Sequence, residues 1–413
     1  MKSNAAAARP SSFPFWTAGA VVALAVNLRA PLTTVGPLVP DLQRELGLSY
    51  AAAGALTTIP LMAFALLAPA AAALARRFGM KRTLFFSLIV LLVGELLRPL
   101  SGVGWLFAGT VLIGAAIAVD NVLLPALVKE SFPERVGFMM GIYTVTMNMS
   151  AAFASGIAVP LADDWGLGWQ GALRFWALLA ALALAVWLPQ ARRQEPDGAP
   201  SGSRRSTLWR SWLAWQVTLF MGLQSFFFYC VVTWLPELGQ SKGLAAEAAG
   251  WLLFFFQFAQ LPMMFVSPML AERMDNQKVL IGSAVLCMGA GTLVFFGGQG
   301  WWLWAGALVA GIGAGMAFSL AMMLFTLRTR RPLAAAQLSA MAQSVGYLLA
   351  ASGPPLFGLL YDAAGRFTAP LGMLLAVCAA MMAFGLGAAR NQYVEEDGST
   401  FVGAAGPFGK KSP

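Results

Sequence analysis

The chain contains no histidine, only three cysteines in 413 residues, and only 11% charged residues. Without histidine it has neither an imidazole metal ligand nor an imidazole proton relay. Cys230, Cys287 and Cys378 each lie inside an apolar segment, with no metal-ligand spacing and no pairing pattern, and read as small core residues. No metal site and no cofactor are therefore expected. The shortage of charge excludes most. Soluble globular proteins carry about 25% charged residues, whereas 59% of this chain is hydrophobic. A soluble fold has too little interior to hide so much apolar surface. An enzyme would need paired carboxylates, a Ser–His or Cys–His arrangement, or a metal cluster. With no histidine and few acids in the apolar segments, an enzyme is not expected. The glycines of Gly311–Gly315 are not a phosphate loop either, because no Lys-Ser/Thr follows and the run is apolar.

What the chain has in abundance is long apolar runs with short charged breaks, such as Phe15–Val39, Ala51–Ala75, Leu84–Leu97 and Trp105–Val128. A helix needs about 20 apolar residues to cross the hydrocarbon layer. A membrane β-barrel would instead alternate apolar and polar residues over about 10 positions. Twelve spans follow: 15–38, 51–75, 83–102, 105–128, 137–161, 169–189, 211–236, 247–270, 278–297, 301–326, 333–360 and 367–388. The expected fold is an all-α integral membrane protein of twelve transmembrane helices. Trp16, Trp105, Trp169, Trp209, Trp212, Trp234, Trp251, Trp301 and Trp302 fall near span ends, where amphipathic rings sit at the membrane interface.

The net charge of +9 lies between the spans and forms no basic face, so no nucleic-acid partner is expected. Placing the N-terminus in the cytoplasm puts 21 of the 27 basic residues on that side, among them Arg76, Arg77, Lys81, Arg82, Lys129, Arg135, Arg192, Arg193, Arg204, Arg205, Arg273, Arg328, Arg330 and Arg331. The other side holds few, such as Arg44, Lys242 and Arg366. Both termini are therefore expected in the cytoplasm, with the chain multi-pass in a bacterial inner membrane. Met1–Ser12 is short and polar, so no cleavable signal is expected. The stretch Pro189–Arg210, rich in Pro, Gly, Ser and Arg, divides the spans six and six. The resulting plan is a cytoplasmic tail 1–14, a six-helix bundle 15–189, a cytoplasmic linker 190–210, a second bundle 211–388 and a cytoplasmic tail 389–413.

The two halves are related. Pro40-Asp41-Leu42, Gly47-Leu48 and Gly54 recur as Pro236-Glu237-Leu238, Gly243-Leu244 and Gly250, at a constant offset of 196. At an offset of 199, Ile113-Gly114-Ala115 and Pro133 match Ile312-Gly313-Ala314 and Pro332. Parallel six-helix repeats are one recognised transporter plan.

Several stretches carry a family resemblance: Asn27-Leu28-Arg29-Ala30-Pro31-Leu32-Thr33, Asn121 to Lys129, Gly168-Trp169-Gln170-Gly171-Ala172, Phe220 to Ser225, and Gln343-Ser344-Val345-Gly346-Tyr347-Leu348. With the twelve-span plan, the chain resembles the major facilitator superfamily, and within it the cyanate and nitroimidazole transporter family (CynX/NimT). The resemblance covers nearly the whole chain apart from the tails. It implies two pseudo-symmetric six-helix bundles working by alternating access. One departure is visible. The superfamily places an Asp before the basic loop joining spans 2 and 3, and Arg76 stands there instead. The matching loop of the second half keeps acids in Glu272 and Asp275.

Arg29 is the foremost candidate for substrate binding. It lies about 21 Å along span 1, near mid-membrane, where a lone Arg costs at least ~2.5–3.5 kcal/mol. That cost is borne where the group faces a watery cavity and a negative partner, either an anionic substrate or a permanent partner such as Asp120. Asn27, Thr33 and Thr34 are nearby hydrogen-bonding groups. Asp120, with its neighbour Asn121, either exchanges protons, pairs with Arg29 or serves the basic 2–3 loop. Glu95 and Arg98, three apart on one helix face, can neutralise one another, and Glu95 is a second ion-coupling candidate. The second half offers Gln224, Gln343 and Tyr347 at mid-depth, and Gln257 with Gln260 on span 8. The aromatic runs Phe226 to Tyr229 and Phe254 to Phe256 read mainly as packing or lipid-facing surface, with closing the cavity as the alternative for some of them.

The expected function is secondary transport of a small polar or anionic organic solute, cyanate-like or nitro-aromatic by the resemblance, with protons as the candidate coupling ion. The expected partners are that solute, the lipid bilayer and protons, and the expected state is a monomer. A multidrug-type exporter is the alternative; a membrane sensor or a channel is a further one.

Overall fold

A computed structural model describes residues 15–48, 50–192 and 207–395. The expected tail 1–14, residues 396–413 of the expected tail 389–413, and most of the expected linker (193–206) lie outside the described residues. All regular structure within the described residues is helical. In chain order the helices are α1 (Phe15–Asn27), α2 (Ala30–Thr33), α3 (Val35–Leu46), α4 (Tyr50–Phe78), α5 (Met80–Leu97), α6 (Val103–Ser131), α7 (Val136–Ala162), α8 (Gly168–Arg192), α9 (Trp212–Ser241), α10 (Ala246–Arg273), α11 (Lys278–Gly297), α12 (Trp301–Leu327), α13 (Pro332–Ala364) and α14 (Thr368–Ala388).

Eleven spans among the described residues are long and apolar enough to cross a membrane, with α1 to α3 counting as one. The twelfth is α5. Its 18 residues reach about 27 Å, and they include Lys81, Arg82 and Glu95. Outward faces carry exposed Leu178, Leu182, Phe254, Phe258, Leu286 and Leu293, the apolar surface a bilayer would cover.

Helices α1 to α8 pack among themselves, as do α9 to α14. The two groups meet along α4 with α13, α7 with α10, and α6 with α12 and α13. Small residues set these distances. A Cβ at Gly311 would fall 2.4 Å from the Phe256 carbonyl oxygen of α10, and one at Gly315 2.4 Å from that of Gln260. A Cβ at Gly313, on another face, would fall 2.5 Å from the Ala284 carbonyl oxygen of α11. In α12 these glycines therefore let two neighbours approach backbone to backbone.

The sequence repeat has a local cause. Gly47 and Gly243, related by the offset of 196, both take positive φ (65° and 89°) at the turns leaving the first and seventh spans. A side chain disfavours that conformation, so each half needs glycine at its equivalent turn.

The first span departs from a continuous helix. It breaks at Leu28–Arg29 and again at Thr34. Pro31 has no N–H for the Asn27 carbonyl, and its ring would collide with the preceding turn. The chain then restarts with Arg29 at φ −128° and ψ −34° as the N-cap residue of α2.

Candidate substrate-binding site

The break in the first span presents Arg29 to a cavity between the two groups of helices. Arg29 and Asn148 of α7 line it from the first group. Gln224, Ser225, Phe228 and Tyr229 of α9, Gln260 and Met264 of α10, Phe318 of α12 and Tyr347 of α13 line it from the second. Arg29 is half-buried. Among the described residues it makes no ion pair, and its Nε has no hydrogen-bond partner. Tyr229, Tyr347 and Tyr143 are the phenols within its electrostatic reach.

The lining holds one cation, three amides, a hydroxyl, two phenols and aromatic faces, and no carboxylate. Gln224 Nε2 donates to Ser225 Oγ at 2.7 Å and to Met221 Sδ at 3.3 Å, leaving its carbonyl oxygen for other partners. Asn148 Nδ2 donates to the Thr144 carbonyl at 2.8 Å. Tyr347 packs on Phe64 of α4 with ring centroids 5.3 Å apart, across the seam between the groups. Such a site attracts negative charge and flat π-systems and repels cations. Its volume is about 20 Å³, while one water needs about 10–15 Å³. This conformation is thus contracted around the site.

Of the sequence-derived candidates, Arg29, Gln224, Gln260 and Tyr347 share this cavity. The others are engaged elsewhere. Asn27 Nδ2 donates to the Ala23 carbonyl (2.8 Å) and to the Leu179 carbonyl of α8 (3.4 Å). Thr33 Oγ1 donates to the Ala151 carbonyl of α7 at 3.0 Å, and Thr34 is buried on Ala30. Asn121 Oδ1 accepts from Tyr143 at 3.4 Å, and its backbone carbonyl accepts from Gln343 Nε2 at 3.0 Å. Gln343 is thereby a tie between α13 and α6. Gln257 is exposed, while its neighbour Gln260 lines the cavity.

The buried acids stand apart from the cavity. Asp120 is fully buried and accepts from Ser87 of α5, while its Oδ2 has no partner. It pairs neither with Arg29 nor with the loop between α4 and α5. Glu95 is fully buried with both oxygens unpartnered. No hydrogen bond joins it to Arg98, so the expected neutralisation acts through proximity alone.

Sequence reasoning did not single out Asn148, Ser225, Met264 or Phe318. Asn148 carried a usable signal, an amide inside an apolar span. Met264 and Phe318 carried none, because an apolar residue in a span does not reveal which way it faces. Of the aromatic runs, Phe228 and Tyr229 line the cavity, whereas Phe254 lies exposed.

A twelve-helix membrane bundle enclosing a polar cavity between its halves defines a membrane carrier. The chain belongs to the Major Facilitator Superfamily, whose sequence profile matches residues 15–354; its members are transporters rather than enzymes. It is 41% identical over 381 residues to the 2-nitroimidazole transporter of Escherichia coli (strain K12), covering 91% of this chain and 95% of that protein. It is 28% identical over 354 residues to the cyanate transport protein CynX of the same organism, covering 84% and 90%. Among solved structures, a proton:xylose symporter superposes with a TM-score of 0.77 at 14% identity, covering 95% of this chain and 100% of that one. That likeness speaks to the fold alone.

Proposed function

We propose that this carrier moves a small solute with an anionic or electronegative end, of the cyanate or nitro-aromatic class, by alternating access about the Arg29 cavity. The observation that carries the proposal is a guanidinium with no carboxylate partner among the described residues. A half-buried cation at mid-membrane without a permanent counter-ion is a binding group for a transient one. The amides of Asn148, Gln224 and Gln260 would complete the substrate's hydrogen bonds, and the rings of Phe228, Tyr229 and Tyr347 would cover its flat faces. The relatives named for 2-nitroimidazole and cyanate support the class, because both compounds are small and carry electronegative oxygens that accept hydrogen bonds.

The cavity is built by one chain, so a monomer suffices. The arginine-rich end, where α4, α6, α10 and α12 terminate, faces the cytoplasm of a bacterial inner membrane, with both termini on that side and the linker 190–210 joining bundles 15–189 and 211–388 there. Asp120, a carboxyl with no counter-ion, is the group that would bind a coupling proton.

Flux in proteoliposomes with cyanate and 2-nitroimidazole tests the reading. Arg29→Gln should raise KM by roughly 10–100-fold, the loss of a charge-assisted hydrogen bond of about 1.5–3 kcal/mol. Wild-type affinity in this variant would refute the site. Counterflow exchange, absent in a channel, separates the carrier from that alternative.

A further inference from the structure

The guanidinium of Arg98, at the end of α5, lies next to the break in the first span. Arg98 is 1% exposed. Its Nη2 donates to the Pro31 carbonyl oxygen at 2.8 Å, while its Nε and Nη1 have no partner. Its one hydrogen bond thus reaches a carbonyl two residues beyond Arg29. The same turn is fixed within itself, since the Arg29 carbonyl accepts from the backbone N–H of Leu32 and of Thr33.

Two neutral side chains pin the break from other sides, Asn27 on α8 and Thr33 on α7. Arg98 supplies the third pin, from α5. It is itself firmly seated, for a Cβ at Gly109 of α6 would fall 2.5 Å from the Arg98 Cβ and 2.6 Å from its backbone. Glu95 lies one turn back, fully buried and within electrostatic reach.

A well-packed apolar pair would serve packing alone at least as well as two buried charges. What an apolar pair lacks is a donor long enough to hold a main-chain carbonyl of the interrupted helix. We infer that Arg98 is a positioning residue: by holding the Pro31 carbonyl it fixes the turn that aims Arg29 into the cavity. This rests on the reading of Arg29 as the substrate's partner.

The test compares three proteins with the wild type: Arg29→Gln, the pair Glu95→Leu with Arg98→Met, and all three substitutions together. The pair leaves no lone buried charge, so it should fold. KM and Vmax for 2-nitroimidazole are measured by counterflow. The pair should raise KM roughly tenfold, a coupling of about 1.4 kcal/mol, with Vmax little changed, and should add less than about twofold once Arg29 is already Gln. A second measurement needs no substrate. In a chain whose Cys230, Cys287 and Cys378 are replaced by Ala, an Arg29→Cys thiol is timed against a water-soluble methanethiosulfonate. The Glu95→Leu, Arg98→Met pair should slow it severalfold, because position 29 turns away from the cavity.

An unchanged thiol rate overturns the inference whether or not 2-nitroimidazole is carried. So does a KM increase of equal size with and without Arg29, or a loss of Vmax and protein yield at constant KM. An Arg29→Gln protein with wild-type KM for 2-nitroimidazole, together with a slowed thiol, would instead discard the Arg29 reading and keep the positional role of Arg98.

Discussion

The ammonium of Lys129, in the last turn of α6, donates to the carbonyl oxygens of Thr326 and Thr329 at the end of α12, and to Thr329 Oγ1 at 3.3 Å. A cation from the first group of helices thereby caps the C-terminal carbonyls of a helix in the second. A reciprocal contact lies at the same end. Glu272 of α10 accepts from the Gly137 N–H at the start of α7, at 2.9 Å. Each group thus uses one charge to cap a helix terminus of the other, in a chain where Arg76 replaces the acid usual in the loop between spans 2 and 3. The two contacts hold the arginine-rich end closed.

Lys129→Met removes the first contact without changing the length of the side chain much. Charge-assisted hydrogen bonds are worth about 1.5–3 kcal/mol, so the balance should shift toward opening at this end by roughly 10–100-fold. Distances between spin labels at Glu134 and Arg331, on opposite groups, report it. A long-distance population should grow, and an unchanged distribution would show that Lys129 does not hold the closure.

Gly137 offers the steric counterpart. A Cβ there would fall 2.4 Å from the Pro268 carbonyl oxygen and 2.8 Å from a Glu272 carboxylate oxygen. Gly137→Val should therefore prevent closure at this end, with a label distance longer than in Lys129→Met and transport reduced at least ~10-fold, since overpacking of this kind costs typically 1–3 kcal/mol. Wild-type turnover would show that the seam between α7 and α10 opens without resistance.

Asp120→Asn keeps an oxygen for the Ser87 hydroxyl and removes the ionisable proton. If Asp120 binds the coupling proton, counterflow exchange should persist at near wild-type rate while uphill accumulation driven by a pH gradient is lost. Accumulation that survives the substitution assigns coupling elsewhere.

Gln224→Met tests the amides separately from the charge. A neutral hydrogen bond contributes about 0.5–1.5 kcal/mol, so KM should rise only ~2–10-fold, well below the change for Arg29→Gln. A larger effect at Gln224 than at Arg29 would reverse the assigned ranking of the two groups.

The sequence by itself determined the architecture, because bilayer thickness constrains it so directly. Apolar run lengths show the spans, basic loops suggest an orientation, and the repeat around Gly47 and Gly243 reflects a backbone conformation that only glycine adopts freely. It also pointed to Arg29, since a charge in a long apolar run is conspicuous. Tertiary structure alone decided which way each polar group faces. Gln224 and Gln343 look alike in sequence, yet one lines the cavity and the other ties α13 to α6. Asn27 and Thr33 flank Arg29 but bond to α8 and α7, because a buried polar group takes whatever partner the neighbouring backbone offers. Phe228, Tyr229, Met264 and Phe318 became site residues only when helices distant in sequence were packed around one space. The break at Pro31 and its contact with Arg98 were both decided by the fold: a span read as continuous is interrupted where proline lacks an N–H, and a residue 67 positions away bonds to the turn.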